Sequence, residues 1–223
     1  MMKNLMTFDM FEQDGVNAGQ AECYEQDVHV LRGFALPYVQ DLMQGINKQV
    51  KTTSPLRKMT TPGGYSMSVA TTSCGQRGWI TSDTGYQYAD RDPITNLPWP
   101  EMPKAFMSLA QSAANKAGFL NFVPDSCLIN VYQAGSKMSL HQDKDEADFS
   151  APIVSVSLGI SATFLLGGFE RQDKSSHIAL HHGDVMVWGR ADRLRFHGIL
   201  PVKAALHSIT QDCRINLTFR KTQ

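Results

Sequence analysis

The sequence has few cysteines, and none lies close to another. Four occur in 223 residues, Cys23, Cys74, Cys127 and Cys213, and no two form a CxxC pair. That spacing excludes a finger-type thiolate zinc site and gives no disulfide framework. Long apolar runs are missing as well. No stretch approaches the roughly 18 apolar residues of a membrane span, and Met1–Asp9 holds one lysine and no apolar leader core. These absences predict a soluble protein in a reducing, cytoplasmic setting with no membrane partner. Net charge is also absent, Lys+Arg 21 against Asp+Glu 21. A zero balance excludes a chain-wide polycation that holds nucleic acid by bulk charge. Internal repeats and low-complexity tracts are absent too.

What is present is ordinary globular material, 42% hydrophobic and 19% charged. The length suits one large domain or a domain with an insertion. The zero balance hides a segregation. Residues 1–41 hold seven acidic and two basic residues, whereas 42–82 hold Lys48, Lys51, Arg57, Lys58 and Arg77 and no acid. A basic stretch of this kind is either a solvated surface or a track for phosphates.

Two helices are legible. One starts near Pro37, a favoured first-turn residue, and carries Val39, Leu42, Met43 and Ile46 at helical spacing. The second starts near Pro103, stripes Phe106, Leu109, Ala110, Ala113, Ala114 and Ala117 on one face, and stops at Gly118. Residues 59–90 read as turn-rich strands. The prolines at 93, 98, 100 and 103 exclude regular structure just after them. From residue 126 the period changes. Eight short segments, 127–133, 138–142, 152–158, 162–166, 177–181, 184–188, 194–199 and 213–219, predict an all-β sandwich, jelly roll or barrel. The plan is therefore an N-terminal part, 1–125, with helices and a lid, and a β core, 126–223, packed as one compact domain.

In the last segment Cys213, Ile215, Leu217 and Phe219 alternate with Arg214, Asn216, Thr218 and Arg220. Period two puts the sets on opposite sheet faces. Alternation alone reads as a strand with its polar face in water, but two arginines and an asparagine in line also suit a small dianion. The strand at 127–133 repeats the habit, with Leu128, Asn130 and Tyr132 opposite Cys127, Ile129 and Val131. His141-Gln142-Asp143 places an imidazole and a carboxylate on one side of an extended chain. A second, distant imidazole would complete a triad of two histidines and one carboxylate, which leaves coordination positions open. His177, His181, His182, His197 and His207 are the candidates. Spacing favours His197, in a late strand, and puts His181 and His182 at an exposed turn.

Taken together, these stretches resemble the AlkB family of iron(II) and 2-oxoglutarate-dependent dioxygenases, in its bacterial DNA-repair branch. The resemblance runs from about residue 55 to 220. It is carried by Thr61–Val69, Asn96-Leu97-Pro98-Trp99-Pro100, the 127–132 strand, Ser139-Leu140-His141-Gln142-Asp143-Lys144-Asp145-Glu146, Pro152–Gly159, Gly183-Asp184-Val185, His197-Gly198-Ile199 and Cys213–Arg220. Four elements in order (HxD, a later His and two arginines six apart) are far more specific than any one.

The resemblance implies a mainly β protein, a double-stranded β-helix (jelly roll) core with N-terminal helices and a nucleotide-recognition lid. It assigns Fe(II) to His141, Asp143 and His197. It assigns 2-oxoglutarate, consumed with O2, to Asn130, Val131, Tyr132, Arg214, Asn216, Thr218 and Arg220. Trp79, Tyr86 and Tyr88 read as core packing on their own; the resemblance makes them holders of a flipped base or contacts to DNA. It adds Asp145 as an acceptor for the base and Arg171 as a further substrate contact. The implied reaction is oxidative demethylation of N-alkylated bases of the 1-methyladenine and 3-methylcytosine type. Formaldehyde is released as 2-oxoglutarate and O2 become succinate and CO2. The substrate would be single- or double-stranded DNA, with RNA as an extension, and the enzyme a monomer. A dioxygenase acting on a protein or small molecule, a non-catalytic nucleic-acid-binding jelly roll and a zinc hydrolase are the competing readings. The basic 42–82 stretch with its aromatics argues against the first. The intact triad with both arginines argues against the second, and the dianion pocket against the third.

Overall fold

A strand buried on both faces needs apolar or internally paired side chains on each, and the last strand shows how this chain meets that demand. The computed structural model describes residues 17–82 and 85–223; the leaderless N-terminal reading of Met1–Asp9 lies outside them. Fourteen strands are described: β1 (Ala21–Glu25), β2 (Val28–Leu31), β3 (Arg57–Thr60), β4 (Ser66–Gly75), β5 (Gly78–Ser82), β6 (Gly85–Ala89), β7 (Ser126–Tyr132), β8 (Met138–His141), β9 (Ile153–Gly159), β10 (Ala162–Leu166), β11 (Ser176–Leu180), β12 (Val185–Trp188), β13 (His197–Ile199) and β14 (Arg214–Arg220). They form an eight-stranded sheet in the order β1-β2-β12-β9-β14-β7-β4-β3, a four-stranded sheet in the order β11-β10-β13-β8, and a separate β5–β6 hairpin. The jelly-roll expectation holds, and the eight segments predicted after residue 126 correspond to β7–β14.

Both legible helices form. The first opens with a tight turn at Leu36–Tyr38, runs as α1 (Val39–Gln44) and widens to a π-helical turn through Val50. The second, α2 (Lys104–Lys116), buries Phe106, Leu109, Ala110, Ala113 and Ala114. It ends where Gly118 takes φ +83°, a left-handed position that glycine adopts without strain. These helices cover the outer face of the large sheet. There they pack on Ile129, Val154, Val156, Leu158, Ile215, Leu217 and Phe219.

The N-terminal part contains more strand than its sequence predicts. β1 and β2 extend the large sheet beyond β12, and Arg32 of the following turn ties them to the core. Its guanidinium donates to Asp184 at 2.7 Å and to both oxygens of Glu22 at 2.8 and 2.7 Å. Strands from both sides of residue 125 thus share one sheet. The exposed turn predicted at His181 and His182 is also corrected. His182 is buried, its Nδ1 accepting from the Gly159 N–H and its ring 4.3 Å from that of His207. Turn composition does not reveal that a later loop folds over the turn.

β14 lies between β9 and β7, and all seven of its residues are buried, so both its faces are interior. Leu217 is fully buried against the helices. Leu217→Ala is expected to cost about 2–5 kcal/mol through lost transfer energy and the cavity left behind. Urea unfolding checks this.

Candidate metal centre and co-substrate cavity

Register determines what faces inward. β14 pairs Arg214 with Tyr132, Asn216 with Asn130 and Thr218 with Leu128 on one side. On the other side it pairs Asn216 with Ser157 and Thr218 with Ser155. Directly opposed residues share a face, so these side chains form a polar floor between the two sheets. A cavity of about 880 Å³ opens over it. Val131 alone among the predicted co-substrate residues turns the other way, packing its side chain on the helix side.

The smaller sheet supplies the opposite wall. His197 of β13 sits directly across from His141 of β8, and a bulge follows between His197 and Ile199. Gly198 makes the bulge possible, because a Cβ there would lie 2.7 Å from the Met138 carbonyl oxygen. The two imidazole rings are 4.4 Å apart. Asp143 lies just past β8, with Oδ1 at 3.5 Å from His141 Nε2 and 3.8 Å from His197 Nε2. The three ligand atoms lie within 4.8 Å of one another, the only such His/Cys/Asp/Glu group among the described residues.

Each ligand is oriented from behind. His141 Nδ1 is 2.8 Å from the Ser139 carbonyl oxygen and His197 Nδ1 is 3.0 Å from that of Arg195. Both contacts place the ring proton on Nδ1 and leave Nε2 as the inward lone pair. Arg220 donates from Nε at 2.9 Å and Nη2 at 2.5 Å to Asp143 Oδ2, leaving Oδ1 for the site. Phe164 stacks on His197 at 5.7 Å, and Trp188 meets the same ring edge-on at 5.2 Å.

The electrostatics prepare this set for a cation. Burial would raise the Asp143 pKa, but Arg220 and the two imidazoles hold it well below the usual carboxylate range. Burial and the neighbouring His141 push His197 down to about 4. For His141, burial works downward, but its contact with Asp143 outweighs it and the pKa rises above 6.5. Two neutral-capable imidazoles and one anionic oxygen, open on one side, fit a non-haem Fe(II) ion.

Arg214 marks the other end of the cavity. It is 1% exposed and donates from Nη2 to Ser157 Oγ at 3.0 Å, while Nε and Nη1 are buried with no partner. Its guanidinium carbon lies 5.0 Å from the Tyr132 ring centre. An orphaned buried guanidinium is costly, and a carboxylate accepting two parallel hydrogen bonds is its natural complement. Asn216 serves the floor instead, donating to Ser155 Oγ and the Val156 carbonyl and accepting from Thr218 Oγ1.

The lid hairpin closes the third side. Trp79 and Tyr86 stack at 5.1 Å, and Trp79 Nε1 donates to Asp145 Oδ2 at 3.0 Å. Tyr88 donates to Glu146 Oε1 at 2.7 Å. Arg171 reaches the Leu140 carbonyl and lies 4.9 Å from the Phe196 ring centre at the rim. The structure thus brings every predicted site residue except the Val131 side chain to one cavity.

Two residues were missed. Glu146, 2% exposed at its side chain, pairs with Arg193 at 2.9 Å and lies 3.3 Å from Arg220. Arg193 also donates to the Asp143 carbonyl at 2.7 Å. In sequence Glu146 is one acid in an acidic run, and no local signal separates it from exposed Asp145.

The 2OG-Fe(II) oxygenase superfamily model matches residues 27–220. The alpha-ketoglutarate-dependent dioxygenase AlkB of Escherichia coli K12 is 55% identical over 86% of this chain and 88% of its own. This chain belongs to the AlkB branch of the 2OG-Fe(II) oxygenase superfamily. An AlkB homolog of Caulobacter vibrioides is 42% identical over 76% of each chain. The solved structure of OsALKBH1 superposes with a TM-score of 0.78 at 28% identity, covering 91% of this chain and 100% of that one. As a member of this branch the chain is a dioxygenase that uses Fe(II), 2-oxoglutarate and O2. When bound, the iron would supply oxidative chemistry on O2 and 2-oxoglutarate, and His141, Asp143 and His197 are the residues that would hold it.

Two outcomes follow. As pH falls, His141, with its raised pKa, should be the first of the three to take up a proton at the nitrogen that faces the site. Mn(II) affinity should therefore fall about tenfold per pH unit below the His141 pKa, with one proton released per ion. Calorimetry in buffers of different ionisation enthalpy reads that number; two protons would refute the assignment of states. Glu146→Gln leaves Arg193 and Arg220 under-compensated and should lower unfolding stability by about 3–5 kcal/mol.

Proposed function

We propose that this dioxygenase removes N-alkyl groups from the Watson–Crick edge of nucleic-acid bases, of the 1-methyladenine and 3-methylcytosine type, chiefly in DNA. Formaldehyde and the restored base are the products. Such lesions pair poorly, so extruding them costs less than extruding a normal base. The observation that carries this reading is the lid. A stacked Trp79–Tyr86 pair and an acidic acceptor, Asp145, border the same cavity as the metal triad. An aromatic face holds a flat base irrespective of sequence, and a carboxylate favours a cationic alkylated one.

Lys137, Lys144 and Arg171 also border the opening, where a phosphate backbone would run. The basic stretch contributes less than its count implies, because Arg57 pairs with Asp92 at 2.7 Å and Arg77 with Asp90 at 2.8 Å. Lys48 and Lys58 are its exposed cations, and Lys51 is half-buried. A mouse relative, 33% identical over 54% of this chain, is called nucleic acid dioxygenase ALKBH1, which supports the same substrate class. 2-Oxoglutarate would set its distal carboxylate against Arg214, helped by Tyr132, with its other end near the triad and Asn130. Arg220 would act mainly through Asp143. We read the protein as a monomer of the cytoplasm. All its described cysteines are free thiols, and no described helix is long and apolar enough to cross a membrane.

The protein is incubated with Fe(II), 2-oxoglutarate, ascorbate and an oligonucleotide bearing 1-methyladenine. Formaldehyde and unmodified adenine are expected. No release from an iron-loaded preparation would sink the substrate assignment. Asp143→Ala should abolish turnover while keeping the circular dichroism of the fold. Arg214→Ala should raise the 2-oxoglutarate requirement before oligonucleotide binding weakens.

A further inference from the structure

Besides the two Arg214 nitrogens, three polar atoms on the inner face of the large sheet lack a hydrogen-bond partner within the protein: Thr71 Oγ1, Ser73 Oγ and Asn130 Oδ1. All three residues are buried, Thr71 and Ser73 completely. Register places Thr71 directly opposite Asn130 and Ser73 directly opposite Leu128, two positions along on the same face. Strand β5 of the lid lies against β4 and β7. Neighbouring Thr72 shows the contrast. Its hydroxyl points to the outer side and is satisfied by Ser54 at 2.9 and 2.8 Å.

Opposed residues in an antiparallel pair hold their Cβ atoms about 4.5–5.5 Å apart. A short threonine hydroxyl and an asparagine amide can face each other across that gap with room for one bridging water. A buried water typically makes two to four hydrogen bonds, and these three atoms supply three. We propose that Thr71, Ser73 and Asn130 hold an internal water beneath the lid, and that through it Thr71 is a positioning residue for 2-oxoglutarate.

The water accepts from the Thr71 hydroxyl and donates to Asn130 Oδ1 and Ser73 Oγ. Asn130 Oδ1 is thereby held away from the cavity, and its Nδ2 donors face the anionic co-substrate. The reversed amide would present a lone pair to that anion. This inference rests on the reading of Asn130 as a co-substrate contact.

Thr71→Val keeps the shape and removes the hydroxyl. A crystal structure of the wild-type protein with Mn(II), at a resolution that resolves ordered water, should show one water within hydrogen-bond distance of Thr71 and Asn130. In Thr71→Val that density should be gone. By anaerobic calorimetry on Mn(II)-loaded protein, 2-oxoglutarate affinity should fall about five- to tenfold. Mn(II) affinity should not change. Thr71→Ser should retain both water and affinity, Ser73→Ala should weaken binding by a smaller factor, and Thr72→Val should leave it unchanged. Absence of the water, or wild-type affinity in Thr71→Val, overturns the proposal. If Arg214→Ala also binds 2-oxoglutarate normally, the co-substrate reading fails as well; if Arg214→Ala loses it, only the water-mediated role of Thr71 fails.

Discussion

The structure depends on a constraint imposed at β14. A central strand with neighbours on both edges and layers on both faces has no solvent for its side chains, yet four of its seven residues are polar or charged. Ile215, Leu217 and Phe219 on one face bury against the helices and stabilise the sheet. The other face carries Arg214, Asn216, Thr218 and Arg220 and can be buried only if each is paired inside the protein or by a ligand. Asn216 and Thr218 pair with each other and with β9. Arg220 pairs with Asp143. Arg214 is left with two donors that have no partner within the protein, and a carboxylate is their natural complement.

The metal centre is assembled by the same pairing. The histidines come from the smaller sheet and Arg220 from the larger, so the Arg220–Asp143 contact joins the two sheets at the ligand set. Because Arg220 occupies one carboxylate oxygen, Asp143 presents the other. A buried ion pair of this kind is weak support for stability but strong support for geometry. Glu146 extends the arrangement outward, meeting Arg193, Arg220 and the lid residue Tyr88. The candidate metal ligands, the polar floor and the lid therefore share one buried charge network.

Much of this was legible in the sequence because strands expose their facing by alternation. The two sides of β14, the matching habit of β7, the His-x-Asp spacing and the late His197 each had a local signature. The helices were readable from the stripe of Phe106, Leu109 and Ala113 and from the stop at Gly118. What was not legible depends on distant chain segments. β1 is largely polar and β2 has only four residues; they are strands because β12 offers an edge to β2 and β2 offers one to β1. His182 is buried because residues near 207 return over its turn. The partnership of Glu146 with Arg193 and Arg220 joins three separate segments. Val131 fell in with its neighbours by position, although its side chain faces the helices.

The central claim is that the two free donors of buried Arg214 form the seat of a distal carboxylate. The most direct measurement compares 2-oxoglutarate with a 2-oxo acid of the same chain length that lacks that carboxylate, by anaerobic calorimetry on Mn(II)-loaded protein. Leaving a buried guanidinium without its partner should weaken binding about 30- to 1,000-fold, with the metal affinity unchanged. Equal affinity for the two acids would contradict the account.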